Sequence, residues 1–396
     1  MIGDELTYRI RNVFGHVPTP EQERALTMFS RFMTDRADRA VMVLRGSAGT
    51  GKTTLAAAIV RALAELKQKM VLMAPTGRAA KVFSLYAGYP AYTIHRRIYR
   101  QKSLEGGFDL NFNSAHDTLF IVDESSMIAN GDTPLLDDLI RFVYNDHNCR
   151  LMLIGDQAQL PPVGEEESPA LMADVLRVYG LRVFESDLRE VLRQSQESGI
   201  LYNATKVRNE GLAMSAGPVA LPRVRFAGFT DIRCVPGDEL IESLASSYSR
   251  VGLDDTIVVT HVTMTFPDYD DYELTATTML DTLSSEAPAL TREQQERLFQ
   301  QVLEDYADVP LKQDRMKKLK EDRYYNALQI KFAYAATCHK AQGGQWAHVY
   351  VDQGYMTDDM LNADYLHWLY TAFTRATERL FLVNWPKTQA EDIEPQ

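Results

Sequence analysis

The sequence predicts an α/β protein of two parallel-sheet lobes in tandem, each with a small insertion. Three observations support this. Short runs rich in Val, Ile, Leu and Met alternate with helical stretches through the first 190 residues, the pattern of strands covered on both faces by helices. A second set of such runs resumes near residue 232. Between the first strand and the first covering helix lies the glycine-rich stretch GSAGTGKTT, residues 46–54.

Taken in order, VMVLR (41–45) reads as a strand entering the glycine-rich loop, and TLAAAIVRALAEL (54–66) as the helix the loop opens. KMVLMAP (69–75), TLFIVDE (118–124), RLMLIGD (150–156) and LRVFESD (181–187) follow as strands, with TPLLDDLIRFVY (133–144) as an intervening helix. Upstream, Thr19, Pro20 and Gln22 form the N-cap, first-turn proline and closing residue of a capping box, which alone accounts for Gln22. Residues 101–117, QKSLEGGFDLNFNSAHD, break the rhythm; Gly106-Gly107 between short segments suggests a hairpin standing off the sheet.

The second region reads as DIRCVPG, the helix DELIESLASSYSRVG and the strand DTIVVT (255–260). It resumes with IKFAYAATC (330–338), AHVYVDQ (347–353), the helix YLHWLYTAFTRAT (365–377) and RLFLVNW (379–385). In the intervening 261–329, TREQQERLFQQVLEDYA (291–307) is a capped helix with Leu298, Phe299, Val302, Leu303 and Tyr306 at helical spacing. The expected domains are therefore 1–190 with a hairpin at 100–117, a second lobe from 191–260 plus 330–396, and an insertion at 261–329.

Composition bounds the function. The 396 residues, 45% hydrophobic and 24% charged, suit a globular protein of about two to three domains. No signal-peptide or membrane-spanning run is present, so a cytoplasmic protein without membrane contact is expected. Cys149, Cys234 and Cys338 form no C-x-x-C pair, which indicates neither a disulfide framework nor a zinc site. A net charge of −12 argues against coating nucleic acid over the whole surface. It leaves room for a local basic groove, since charges beyond about 8–10 Å are screened; HRRIYRQK (95–102) and KQDRMKKLKEDR (312–323) are the clusters, each also explicable as a solvated helix face.

GSAGTGKTT fits the phosphate-binding pattern G-x-x-x-x-G-K-[ST], with Gly46, Gly51, Lys52 and Thr53 at the fixed places. Its amides and the helix N-terminus suit phosphate, Lys52 reaches the β- and γ-phosphates and the Thr53 hydroxyl suits Mg²⁺. Gly49 and Thr54 belong to the same nucleotide-contacting run. Asp123 and Glu124 close a strand, where Asp123 would hold the metal and Glu124 polarise the attacking water. Gln157 ends a neighbouring strand at the carboxyl edge, where ligands of open α/β sheets bind. Arg193 in LREVLRQ and Arg375 in TAFTRAT suit charge that spreads onto a transferring phosphoryl group; either is also explicable as a surface salt-bridge residue.

Together and in this order, these pieces resemble superfamily 1 helicases, most closely the RecD/Dda-like 5′-to-3′ branch. TPEQERAL resembles the Q motif, GSAGTGKTT motif I, APTGRAAKVF (74–83) motif Ia, and TIHRRIY (93–99) motif Ib. IVDESSMI resembles motif II, LIGDQAQLPPV (153–163) motif III, LREVLRQ motif IV, ATCHKAQGGQW (336–346) motif V and LYTAFTRATERL (369–380) motif VI. The match runs from about residue 17 to 385 and is specific as a set.

The resemblance implies two RecA-like P-loop domains in tandem, a strand-separating pin at the hairpin, and a remnant of an SH3-like barrel in the second domain. It implies an ATP-hydrolysing DNA helicase using Mg²⁺, a monomeric motor on single-stranded DNA and the fork duplex. Gln22 would read the adenine, and Gln157, Arg193 and Arg375 would couple phosphate to closure. Thr76, Gly77, His95, Arg96, Thr337, His339 and Trp346 would line the DNA track, with Phe83, Tyr99, Phe112 and Trp346 as base-stacking aromatics. Alternatives are an RNA or RNA-DNA helicase, since a 2′-hydroxyl contact is not legible, and a nonmotor nucleotide switch. Two departures stand out. Gln345 replaces the acidic residue motif V often carries, and DTIVVT runs directly into HVTMTF (261–266), where the resemblance implies a further segment and an SH3-like barrel; either this chain lacks much of that accessory domain or a stretch between Thr260 and His261 is omitted or deleted.

Overall fold

The computed structural model describes residues 2–101, 108–131, 134–145, 148–190, 198–214, 222–240, 242–243, 246–247, 263–266, 272–275, 278–279, 292–304, 306, 309, 312–322, 325, 328–329, 336–354, 356 and 360–391. The chain divides into two compact units, one of Met1–Leu240 with Cys338–Gln396, the other Ile241–Thr337.

The first unit opens with helices α1 (Ile2–Phe14) and α2 (Pro20–Thr34). The capping box at Thr19 is formed, both of its reciprocal bonds being present. Strand β1 (Ala40–Gly46) then leads into α3 (Lys52–Glu65), β2 (Met70–Ala74), α4 (Gly77–Ala87), β3 (Ala91–Thr93) and α5 (Ile94–Ile98). β4 (Tyr99–Gln101) and β5 (Phe108–Leu110) pair antiparallel as a short ribbon, with Tyr99 opposite Leu110. Its tip, residues 102–107, lies outside the described residues. β6 (Leu119–Val122), α6 (Leu135–Val143), β7 (Arg150–Gly155), α7 (Ala173–Val178) and β8 (Arg182–Leu188) complete the lobe.

Six strands form one parallel sheet in the order β3-β2-β6-β7-β1-β8. Alternation in β1 sends Met42 and Leu44 to one face and Val41 and Val43 to the other. The first face packs against Phe29, Leu55 and Ile59 of α2 and α3, the second against Leu136, Leu139 and Ile140 of α6. Both faces are dry, which is why these strands read as continuous apolar runs. The ends of β6, β7 and β1 lie side by side at the carboxyl edge, which brings Asp123, Gln157 and the glycine-rich loop to adjacent places.

After α8 (Gly199–Met214) comes β9 (Ile232–Val235). In the second unit, β10 (Thr263–Phe266) pairs antiparallel with β11 (Tyr272–Thr275), and β12 (Thr278–Met279) pairs parallel with β13 (Leu328–Gln329). Helices α9 (Arg292–Glu304) and α10 (Lys312–Glu321) bury Phe299, Val302 and Leu319. Residues 255–262, which hold the expected strand DTIVVT and the Thr260–His261 junction, and 330–335 lie outside the described residues.

The first unit resumes with α11 (Cys338–Ala341), β14 (Trp346–Asp352), α12 (Ala363–Phe373) and β15 (Ala376–Val383). β14, β15 and β9 form a second parallel sheet in that order. The helix expected through residue 377 stops at Phe373. The Thr374 hydroxyl turns back onto the carbonyls of Tyr370 and Thr371, at 3.0 Å each, and the chain enters β15 two residues later. Hydroxyls that bond the preceding turn compete with helix propagation in this way. Arg375 therefore sits on a turn rather than on a helix.

Candidate nucleotide site and nucleic-acid face

The loop between β1 and α3 is shaped by its glycines. Gly49 and Gly51 have φ of 75° and 77°, a region that disfavours residues with a Cβ. Gly46 has no such dihedral, but a Cβ there would lie 2.9 Å from Thr50 Oγ1 and 3.2 Å from Leu188 Cβ. Lys52 Nζ donates to the Gly46 carbonyl at 3.0 Å, which lays the ammonium across the loop. Thr53 is half-buried and Thr54 exposed at the start of α3. Gln22 is 2% exposed and serves two masters. Its Oε1 accepts from the Thr19 amide at 2.9 Å, and its Nε2 donates to the Thr50 carbonyl at 3.0 Å. The capping residue thus touches the phosphate loop directly, leaving one N–H of the carboxamide for another partner.

Across the sheet edge, Asp123 and Glu124 follow β6. Withdrawal from water, and then the neighbouring charge of Glu124, pushes the Asp123 carboxyl up to about 6, against the opposing pull of Lys52. Glu124 has φ 52° and ψ 39°, left-handed for a residue that is not glycine, and such outliers gather at functional sites. Its Oε2 is buried with no hydrogen-bond partner, as is Ser47 Oγ within the glycine-rich loop. Orphan polar atoms here, beside the amides of Gly49 to Thr53 and the hard oxygens of Thr53 and Asp123, suit a phosphate bound with a divalent cation. The residues therefore fit ATP and Mg²⁺.

Gln157 is exposed beyond β7, its Nε2 3.4 Å from the Leu171 carbonyl. Arg193 lies outside the described residues. Arg375 is 4% exposed, and its guanidinium donates to Thr371 O at 3.0 Å, Gly344 O at 2.9 Å and Thr374 Oγ1 at 3.2 Å. None of these bonds goes to the phosphate loop.

What the sequence reading missed is the set of bonds joining the two sheets. The Tyr370 hydroxyl accepts from the Ala48 amide at 2.9 Å and donates to Asp156 Oδ2 at 2.7 Å. Leu160 N donates to Thr371 Oγ1 at 2.9 Å, Gln342 Nε2 donates to Leu160 O at 2.7 Å, and His367 Nδ1 lies 2.9 Å from Ala158 O. Ala158 and Leu160 also join the apolar cluster of the second sheet, with Leu366, Leu369 and Phe373. The loop carrying Gln157 is thus latched to α12 along its length.

The residues expected on the DNA track fall into two groups. Thr76 caps α4, accepting from the Ala79 amide at 3.1 Å, and Gly77 is exposed beside it. Gly77, Lys81, Tyr92 and Arg96 line a groove of about 310 Å³, and His95 is exposed on the same α5 turn. Lys81 and Tyr92 were not picked out by sequence. Gly343 and Gly344 approach α4 closely, a Cβ on Gly343 meeting Ala79 Cβ at 2.9 Å, and Arg78 lies over the Trp346 ring at 3.9 Å. His339 is exposed on α11, and Thr337, exposed, closes the second unit.

Of the four aromatics expected to stack on bases, Trp346 carries Arg78 over its ring, and two more are otherwise employed. Phe83 is 1% exposed in the core under α4, and half-buried Tyr99 donates to Asp138 Oδ2 at 2.6 Å. Phe112 is 66% exposed. No helix among the described residues is long and apolar enough to cross a membrane.

A glycine-rich phosphate loop at the carboxyl edge of a parallel sheet, with an acidic pair on a nearby strand, defines a P-loop nucleotide-binding protein. Residues 19–216, half of the chain, match the family model described as an AAA domain, and the chain belongs to that family. Residues 332–383 match the model of a UvrD-like helicase C-terminal domain. The ATP-dependent RecD2 DNA helicase of Deinococcus radiodurans is 26% identical over 384 residues, spanning 87% of this chain and 47% of that protein. The ATP-dependent DNA helicase dda of Enterobacteria phage T4 is 27% identical over 237 residues, 54% of this chain and 50% of that protein. The chain thus spans about half the length of these curated relatives. A crystal structure of Pif1 helicase from Candida albicans aligns over 95% of this chain and 97% of its own, at 16% identity and a TM-score of 0.46. The resemblance to RecD/Dda-like proteins read from the motifs is borne out by these matches.

Proposed function

We propose that this chain is an ATP-driven motor that moves 5′ to 3′ on single-stranded DNA and unwinds duplex at a fork. The observation that carries the reading is the latch: the phosphate loop and the Asp156–Leu160 loop are hydrogen-bonded directly to the helix ending beside Arg375. A nucleotide switch needs only the first sheet. A motor needs what happens at the phosphates to move a second lobe, and a bonded second lobe is the means. The named relatives are ATP-dependent DNA helicases, which favours DNA as the track.

In this reading the amides of Gly46, Gly49, Gly51 and Thr54 and the Lys52 ammonium hold the phosphates, and the spare Gln22 N–H meets the base. Mg²⁺ held by Thr53 and Asp123 would neutralise charge on the β- and γ-phosphate oxygens. Glu124, held in its left-handed conformation with one oxygen unpartnered, takes a proton from the attacking water. Gln157, Arg193 and Arg375 respond to the γ-phosphate, and for Arg375 this requires exchanging the Gly344 carbonyl for phosphate oxygen. Thr76, Gly77, His95, Arg96, His339 and Trp346 grip the DNA backbone and bases, and the β4-β5 ribbon separates the strands.

The test is ATP turnover with and without oligo(dT). Stimulation by the oligonucleotide that disappears in Lys52→Ala is expected. Turnover indifferent to DNA would remove the motor reading and leave a nucleotide switch.

A further inference from the structure

Tyr370 lies on α12, is 1% exposed, and uses both functions of its hydroxyl. It accepts from the Ala48 amide of the phosphate loop and donates to Asp156, the residue before Gln157. The second Asp156 oxygen accepts from the Ala158 amide at 3.0 Å, and Asp156 is 2% exposed. Burial, and then the Asp156 charge, holds the phenol well above its ordinary pKa, so the proton stays on Tyr370 and the donor direction is fixed. Arg208 of α8 lines a cleft of about 580 Å³ with Gln157, His367 and Tyr370, and its Nε is buried without a hydrogen-bond partner.

We propose that Tyr370 is a positioning residue whose hydroxyl passes the state of the phosphate loop to the Gln157 loop and to the helix that ends beside Arg375. The proposal rests on the motor reading above and names its coupling element. Ala48 lies inside the phosphate-binding run, so a phosphate that reorients its peptide must carry the phenol with it or release it. A phenol that follows the peptide while Asp156 stays behind deprives that buried carboxylate of a donor, an expensive outcome. Asp156 therefore follows the phenol, and Gln157 moves with Asp156. Thr371, His367 and Gln342 bond the same loop, but their bonds reach only Ala158 and Leu160. Tyr370 alone among these four also bonds the phosphate loop.

The proposal is tested by binding linkage. Affinity for a nonhydrolysable ATP analogue is measured with and without saturating oligo(dT), and affinity for oligo(dT) with and without the analogue. The two ratios must agree, and couplings of this kind are typically about 5- to 150-fold. Tyr370→Phe, which removes one oxygen and keeps the ring, is expected to bring the ratio to within about twofold of one, against that typical coupling. Thr371→Val, which deletes the neighbouring bond to the Leu160 amide, is expected to keep most of it. Wild-type coupling in Tyr370→Phe, or equal losses in both variants, overturns the proposal, because the hydroxyl would then merely hold the loop in place. If Tyr370→Phe does not fold, Asp156→Asn should show the same loss, and full coupling there overturns the proposal as well. A wild-type protein without coupling in either direction overturns the motor reading itself, and the proposal with it.

Discussion

Replacing Arg375 separates the structural role of its guanidinium from the catalytic role proposed for it. The guanidinium is 4% exposed and makes three hydrogen bonds. In Arg375→Ala the Thr371 carbonyl keeps the Thr374 hydroxyl as a donor at 3.0 Å, whereas the Gly344 carbonyl loses the guanidinium. A hydrogen bond to a charged group contributes about 1.5–3 kcal/mol, and an orphaned buried acceptor costs about 1–3 kcal/mol. Relief from burying a cation offsets part of this. The expected net loss is about 2 kcal/mol, or a fall in Tm of about 4–8 °C for a lobe of this size. Turnover should fall by at least about 10²-fold if the same cation also meets transition-state charge, with a smaller loss in ATP affinity. Thermal unfolding and steady-state ATPase kinetics on Arg375→Ala and Arg375→Lys measure both effects. An unchanged Tm would refute the bond to Gly344, and equal losses in affinity and turnover would make Arg375 an ordinary binding residue.

Two more substitutions test other parts of the site. Burial, and then the Glu124 charge, push the Asp123 carboxyl up to about 6 from an ordinary 3.8, so the folded state keeps its proton where the unfolded chain has lost it. Stability falls as pH rises from about 4 to about 6, and the full penalty is present above that. Asp123→Asn should therefore be more stable than wild type at pH 7 in urea unfolding without nucleotide, converging near pH 4; lower stability at pH 7 would contradict the burial argument. Gly343 has φ 70°, and a Cβ there lies 2.9 Å from Ala79 Cβ. Gly343→Ala is expected to cost about 1–3 kcal/mol in the same assay, and a neutral outcome would mean that the Gly343–Ala79 approach is looser than described.

Most of the first sheet was legible because its signals are local. Apolar runs, the Thr19 capping box and the glycine pattern each occupy fewer than about ten residues and act on their own backbone. Arg375 was misassigned to a helix because the apolar pattern of α12 runs smoothly into β15, and only the back-bonding of Thr374 marks the break. Phe83 read as a candidate stacking residue because an aromatic on an amphipathic helix carries no label for its face; in the fold it lies inside. The latch was illegible for a different reason. Tyr370 stands in LYTAFTRATERL, but its partners are 214 and 322 residues upstream, and its hydroxyl gains meaning only once both sheets are built.

In the proposed motor, events at the phosphate loop drive movement along one DNA strand in one direction. Unwinding of a forked duplex carrying a single 5′ or 3′ tail, in ATP and Mg²⁺, tests it most directly. Strand separation is expected on the 5′-tailed substrate and none in Lys52→Ala. Unwinding that requires the 3′ tail, or that persists in Lys52→Ala, would contradict it.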